Sequence, residues 1–159
     1  TFTNSEGAEE GNLIGNLVKL LLEETPESKK SVFIASQNDR ILAGVIFTKL
    51  TFENSHTNTW LLSPAAVSTN DQGQGIGKKL IDFAHKALKK EGVKQVVTYG
   101  DIRFYSKVGY KAITENDIPS PLPLSYPEGW IAQSLENDEI VPISGRAFCV
   151  EAYNDPKLW

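Results

Sequence analysis

Apolar residues recur at three- and four-residue steps in two stretches of the chain, and short β-branched runs fill the space between and after them. That mixture predicts helices and strands in one fold. In the first stretch Leu13, Ile14, Leu17, Val18, Leu20 and Leu21 form a broad stripe. Ser5 stands ready to cap this helix, acidic residues fill its first turns, and Pro26 stops it. Gly7, Gly11 and Gly15 fall four apart on one side of it, which predicts a bent or loosely wound helix. Thr1-Phe2-Thr3 is β-prone but short. In the second stretch Ile76, Leu80, Phe83, Ala84, Ala87 and Leu88 share a face, and Lys78, Lys79, Asp82, His85, Lys86 and Lys89 share the other. Lys89, Lys90 and Gly92 have the character of a helix C-terminus.

Strands are predicted at 31–35 and 41–50, joined by a turn at Gln37-Asn38-Asp39-Arg40. A polar turn at 53–58 leads to a strand at 58–67, which Pro64 interrupts, because proline cannot donate to a ladder. Further strands are expected at 93–99, 110–113, 130–135 and 145–151, with 153–159 as a tail. Prolines at 119, 121, 123 and 127 make 114–129 a semi-rigid loop, long enough for a lid or for the wall of a substrate cleft.

At 159 residues the chain is expected to be a single domain spanning 1–159. Its one cysteine, Cys149, excludes an internal disulfide, and Phe148 and Val150 beside it suggest a small buried residue in a strand. No apolar run approaches the roughly 20 residues needed to span a bilayer, and residues 1–10 carry three glutamates and no basic residue, unlike a signal peptide. A cytoplasmic protein is expected. A net charge of −4 disfavours nucleic-acid binding and favours an amine-bearing substrate. Two histidines and one cysteine, without ligand spacing, predict no metal site.

The chemistry centres on Gln72-Gly73-Gln74-Gly75-Ile76-Gly77-Lys78, where glycines meet the start of the second helix. The first N–H groups of a helix lack partners and the dipole is positive there, so this is a seat for a phosphate or pyrophosphate. A P-loop would need a hydroxyl after Gly-Lys, but Lys79 follows Lys78. A dinucleotide fingerprint would need a third glycine where Lys78 stands. What remains is Gln72-x-x-Gly75-x-Gly77 after an apolar strand. It resembles the coenzyme A pyrophosphate motif of the GNAT superfamily of N-acetyltransferases.

The resemblance extends over nearly the whole chain. Tyr105-x-x-x-Gly109-Tyr110 is similar to the segment in which these enzymes often carry their general acid. Gly100-Asp101-x-x-Phe104-Tyr105, with Ser5-Glu6-Gly7 and Pro127-Glu128-Gly129-Trp130, is similar to one branch of single-domain bacterial members. The resemblance implies an α/β (α+β) fold: a mixed, mostly antiparallel sheet, helices on both faces, and a splayed central strand pair at 60–67 and 93–99. It also implies acetyl-CoA as co-substrate, with Gln72, Gly73, Gln74, Gly75, Ile76, Gly77 and Lys78 at the pyrophosphate. Ala65, Ala66 and Val67 would offer freed backbone to the pantetheine arm and polarise the thioester oxygen.

Tyr105 is the expected catalytic acid. A phenol near pKa 10 stays protonated at neutral pH and can donate to a departing thiolate, whose thiol lies near 8.5, in a nearly level transfer. The general base is left open among Glu53, His56, Asp101 and a water chain, because residues 58–67 hold no Asp, Glu or His. Asp101 is expected to shape its turn, and both histidines to be solvated, His85 on the wet face of its helix. The acceptor would be a small-molecule or peptide amine, with no nucleic acid and no membrane as partner and with homodimer formation left open. Two rivals stand beside an N-acetyltransferase: a non-catalytic acyl-CoA sensor, and a phosphate-binding module for another nucleotide.

Overall fold

The computed structural model describes residues 7–159. The Thr1-Phe2-Thr3 segment, the Ser5 cap and most of Ser5-Glu6-Gly7 lie outside the described residues. Helix α1, Ala8–Glu24, starts at Gly7 and runs unbroken through Gly11 and Gly15, so the glycines do not loosen its winding. It stops at Thr25, whose extended backbone is what a residue before proline requires.

Strand β1, Lys30–Gln37, turns back into β2, Arg40–Phe52, through Asn38 and Asp39, both at positive φ (50° and 62°). That is the two-residue turn matched to strand twist. Strand β3, Ser55–Val67, follows after only Glu53 and Asn54, so the polar turn expected over 53–58 is shorter, and His56 is an exposed residue on the strand. Beyond come helix α2, Ile76–Lys90, strand β4, Gln95–Tyr99, helix α3, Ile102–Tyr105, and strands β5, Lys111–Ala112, β6, Trp130–Ser134, and β7, Ala147–Phe148.

The sheet runs β1-β2-β3-β4-β6-β5, with β7 added beside β2, and among the described residues only the β3–β4 pair is parallel. Side chains on that central pair alternate between two cores. Leu61 and Val97 join Leu17, Leu21 and Trp130 under α1, while Leu62 and Val96 join Leu80, Ala84 and Leu88 under α2. A parallel pair covered on both faces reads as continuous apolar sequence, which is how Trp60-Leu61-Leu62 and Val96-Val97 read.

The details depart from expectation in three places. The buried face of α2 is Leu80, Ile81, Ala84, His85 and Leu88, with Phe83 left 64% exposed, so the helix is rotated about its axis from the predicted phase. The expected strand at 145–151 shrinks to Ala147–Phe148, and Cys149 lies just past it, partly exposed, with burial still pushing its thiol up. The expected tail is part of the core. Short 3₁₀ turns at Glu151–Tyr153 and Pro156–Leu158 deliver Tyr153 and Trp159, 3% and 4% exposed, to the cluster under α1.

Candidate active site

The parallel ladder between β3 and β4 runs from Thr59–Gln95 to Leu62–Thr98 and stops. Beyond it β3 stays with β2, pairing Ala65, Ala66 and Val67 with Val45, Gly44 and Ala43, while β4 stays with β6. The parting falls at Ser63 and Pro64, a cis pair that bulges against Ile46, because proline has no N–H to continue the ladder. Two hydroxyls take up carbonyls at the fork. Thr98 Oγ1 donates to the Leu62 carbonyl at 2.7 Å, and the Tyr153 hydroxyl donates to the Ser63 carbonyl.

On the α2 side of the fork, β3 leads through a 3₁₀ turn, Thr69–Asp71, into the glycine loop. Buried Asp71 anchors that turn by accepting two hydrogen bonds from Arg40, at 2.8 and 3.1 Å, which hold its carboxyl below the usual range. Gly73 and Gly75 take φ of 78° and 77°, and Gly75 is the N-cap of α2. Gln72, Gly73, Gln74, Gly75 and Lys78 are exposed, and Lys78 pairs with Asp82 at 3.0 Å along the helix. Gly77 has a different reason to be glycine: an added Cβ would sit 3.1 Å from Val67 Cγ2, so its absence lets α2 close on β3.

Two cavities flank the fork. A small one of about 130 Å³ lies between Ala65, Ala66, Val67, Gly77, Phe104 and Tyr105. A larger one of about 910 Å³ opens on the α1 side, bounded by Ile14, Pro64, Thr98, Tyr105, Tyr126 and Trp159. Tyr105, Phe104 and Ala65 line both. Tyr105 therefore stands where the two spaces meet.

Its position follows from a short sequence. The Asp101 carboxylate accepts the Arg103 N–H at 2.8 Å and caps α3, and the Tyr105 ring then stacks edge-on to Phe104 and Tyr110, at 5.0 and 5.4 Å. A Cβ on Gly100 would meet that ring at 2.7 Å, so glycine admits it. Burial pushes the Tyr105 phenol up, offset in part by the Thr98 hydroxyl. Against a thiol near 8.5, full transfer of its proton is uphill rather than nearly level. Tyr105 is suited to hold a hydrogen bond to sulfur while charge develops there.

The base candidates are scattered. Glu53, which accepts a hydrogen bond from the Arg146 N–H at 3.3 Å, and exposed His56 sit at the β2–β3 hairpin, some 25 Å along the strand from Pro64 at about 3.3 Å per residue. Neither lines either cavity. Asp101 does line the larger one, but its bidentate pairing with Arg103 lowers its pKa, which weakens it as a base. Among the described residues no cluster fit for a metal is present. Sequence reasoning did not single out Glu10, Tyr99, Tyr126, Tyr153 or Trp159, which reach the larger cavity from α1, the end of β4, the proline-rich loop and the C-terminal turns. The loop is a wall held in place. Ile118 is fully buried, its carbonyl accepts the Trp130 Nε1–H at 2.8 Å, and Gly129 brings Tyr126 and Tyr99 together where a Cβ would lie 3.0 and 3.2 Å from their rings.

His85 is buried, not solvated. It lies 8% exposed with Nε2 3.1 Å from the Tyr110 hydroxyl, and desolvation lowers its pKa to about 4. The neutral ring is what fits, so unfolding releases a base that takes up a proton between its folded value near 4 and its ordinary 6.5. The unfolded state then binds more protons, and stability falls as pH drops through that window. Relative to a His85→Phe variant, the wild type is expected to lose roughly 2 kcal/mol more between pH 7 and pH 5. Urea denaturation at both values checks this, and parallel losses in the two proteins would refute it.

A family described as acetyltransferase (GNAT) domain matches residues 28–112. The uncharacterized N-acetyltransferase YjhQ of Escherichia coli (strain K12) is 25% identical over 141 residues, covering 86% of this chain and 77% of its own. Among solved structures, the GNAT family N-acetyltransferase YhbS from Escherichia coli in complex with CoA superposes with a TM-score of 0.78 at 21% identity, over 91% of this chain and 79% of that one. A GNAT family acetyltransferase from Brucella melitensis in complex with acetyl-CoA gives 0.69 at 20% identity, over 96% and 84%. At those identities the structural likeness speaks for the fold.

Proposed function

Since the chain belongs to the GNAT acetyltransferase family, we propose that it binds acetyl-CoA and moves the acetyl group directly from the thioester to a primary amine. The observation that carries this reading is Tyr105, placed at the fork between a narrow space beside the glycine loop and a wide one open to an acceptor.

The open N–H groups around Gly75 and Gly77 receive the pyrophosphate at the α2 N-terminus. The β3 edge at Ala65, Ala66 and Val67, released from β4, offers backbone partners to the pantetheine arm, and an N–H near Ala66 or Val67 polarises the thioester oxygen. The acceptor enters from the larger cavity and its nitrogen attacks the carbonyl carbon. As the carbon–sulfur bond breaks, the Tyr105 hydroxyl donates toward the sulfur. With no free carboxylate on β3 and Asp101 held by Arg103, the amine proton leaves through water in the open cleft. Cys149 lines neither cavity, which fits direct transfer without a covalent carrier.

Calorimetric titration with acetyl-CoA, followed by thiol release against a panel of amines, tests the proposal. Binding with amine-dependent release supports it. Binding without release from any amine favours the acyl-CoA sensor, which the dispersed base candidates would suit, and ATP competing with CoA would favour the nucleotide module.

The fork supplies a further prediction. Tyr153→Phe removes the donor on the Ser63 carbonyl and is expected to cost about 1 to 2 kcal/mol of stability. Because β3 then loses its anchor beside the thioester, turnover should fall roughly 10-fold while acetyl-CoA affinity changes little. Denaturant midpoints and initial rates check both effects, and unchanged turnover would show that the fork does not depend on this bond.

A further inference from the structure

The walls of the larger cavity narrow the acceptor class, on the reading that this cavity is the acceptor side. Its volume of about 910 Å³ is ample for a small molecule. A third of the lining comes from residues 125–159, beyond the matched family segment at 28–112, and Glu10, Ile14 and Leu17 join it from α1.

Six aromatic residues line the cavity. Phe104 and Tyr126 are left 39% and 61% exposed, one from α3 and one from the proline-rich loop. The polar ends of several other aromatics are already engaged by the protein. Tyr99 Oη accepts the Tyr126 N–H at 2.5 Å and lies 3.2 Å from Ser125 Oγ, the Tyr153 hydroxyl holds the Ser63 carbonyl, and Trp159 Nε1 donates to the Tyr153 carbonyl at 2.9 Å. Tyr153 and Trp159 are nearly buried, so the ring surface open to a ligand is chiefly that of Phe104 and Tyr126.

Charge is equally restricted. Asp101 and Arg103 neutralise each other, leaving Glu10 and Glu128 against Lys157, none of them in an ion pair among the described residues. That is one net negative charge. It suits a single ammonium, which tyrosine faces also attract, whereas a polycation would exceed that charge and meet Lys157 as well. A polyhydroxylated acceptor could bond Glu10, Glu128 and Lys157, but hydroxyls laid against the Phe104 and Tyr126 rings would lose partners.

We infer that the acceptor is a primary amine carrying one positive charge on an aromatic or branched apolar body, rather than a polyamine or an amino sugar. In the transfer its ammonium first loses one proton to water; the free amine then attacks, the carbon–nitrogen bond forms as the carbon–sulfur bond breaks, and the second nitrogen proton passes through water to make good the one that Tyr105 donates to the sulfur.

The test is calorimetric titration of the protein, with and without saturating CoA, using 2-phenylethylamine, spermidine and kanamycin as probes. Phenylethylamine is expected to bind at least 10-fold more tightly than either polycation. Tyr126→Ala, at an exposed loop position that should fold normally, is expected to weaken it roughly 10-fold. Equal or tighter binding of spermidine or kanamycin, no binding of phenylethylamine, or no effect of Tyr126→Ala would each overturn the inference. Initial rates separate it from the proposed chemistry. Phenylethylamine bound but never acetylated counts against acetyl transfer and leaves the class standing, while acetylation of spermidine in its place does the reverse.

Discussion

Replacing Tyr105 with phenylalanine is expected to lower kcat roughly 100-fold or more and to leave acetyl-CoA affinity within a few-fold of wild type. The ring packs between Phe104 and Tyr110 and fills the space over Gly100, and phenylalanine keeps all of those contacts. What it loses is one hydroxyl, held near Thr98 where the two cavities meet. A donor that serves only as charge builds on sulfur acts on the transition state and not on ground-state binding, so the loss should fall on kcat. Because burial raises the phenol above its ordinary value near 10, the hydroxyl stays protonated well into alkaline solution, and wild-type turnover should show no loss from phenol ionisation up to about pH 9. Initial rates over saturating acetyl-CoA, with affinity from calorimetry, decide the matter. Unchanged turnover would remove Tyr105 from the acid role.

Some of this was legible in the chain because local rules govern it. Pro64 announces the end of a ladder wherever it stands, and the runs around Leu61 and Val97 declare strands covered on both faces. The onset of α2 at the glycine loop could be read for the same reason. The phase of that helix could not. Treating histidine as polar turned Phe83 inward and His85 outward, yet a neutral imidazole next to the Tyr110 hydroxyl is a better core residue than its charge class suggests. The C-terminal turns carry no period at all, since Tyr153 and Trp159 are fixed by partners such as the Ser63 carbonyl, far away in sequence. The placement of the base candidates was not legible: nothing local in the sequence shows that Glu53 and His56 sit at the far end of β3, or that the Arg103 side chain turns back onto Asp101.

Gly75→Val is expected to weaken acetyl-CoA binding at least 100-fold. Gly75 caps α2 at φ 77°, a conformation a β-branched residue enters only at a cost of about 1 to 3 kcal/mol, and nothing lies within 4 Å of its added Cβ. The side chain would therefore project from the N-terminus of α2 into the open space where the phosphates are to sit, and any relaxation of φ would turn the N–H groups away from them. The strain itself can be subtracted with a matched control. Gly92, at the other end of the same helix, has φ 90° and equally open surroundings, so Gly92→Val should incur a comparable loss of stability, a few degrees in Tm for a domain of this size, without touching the anion seat. Calorimetry on both variants then separates the two effects. Binding lost in the first and kept in the second locates the pyrophosphate at the α2 N-terminus. Normal binding by Gly75→Val would move it elsewhere, and equal loss in both would mean that α2 as a whole, rather than its first turn, is what the ligand requires.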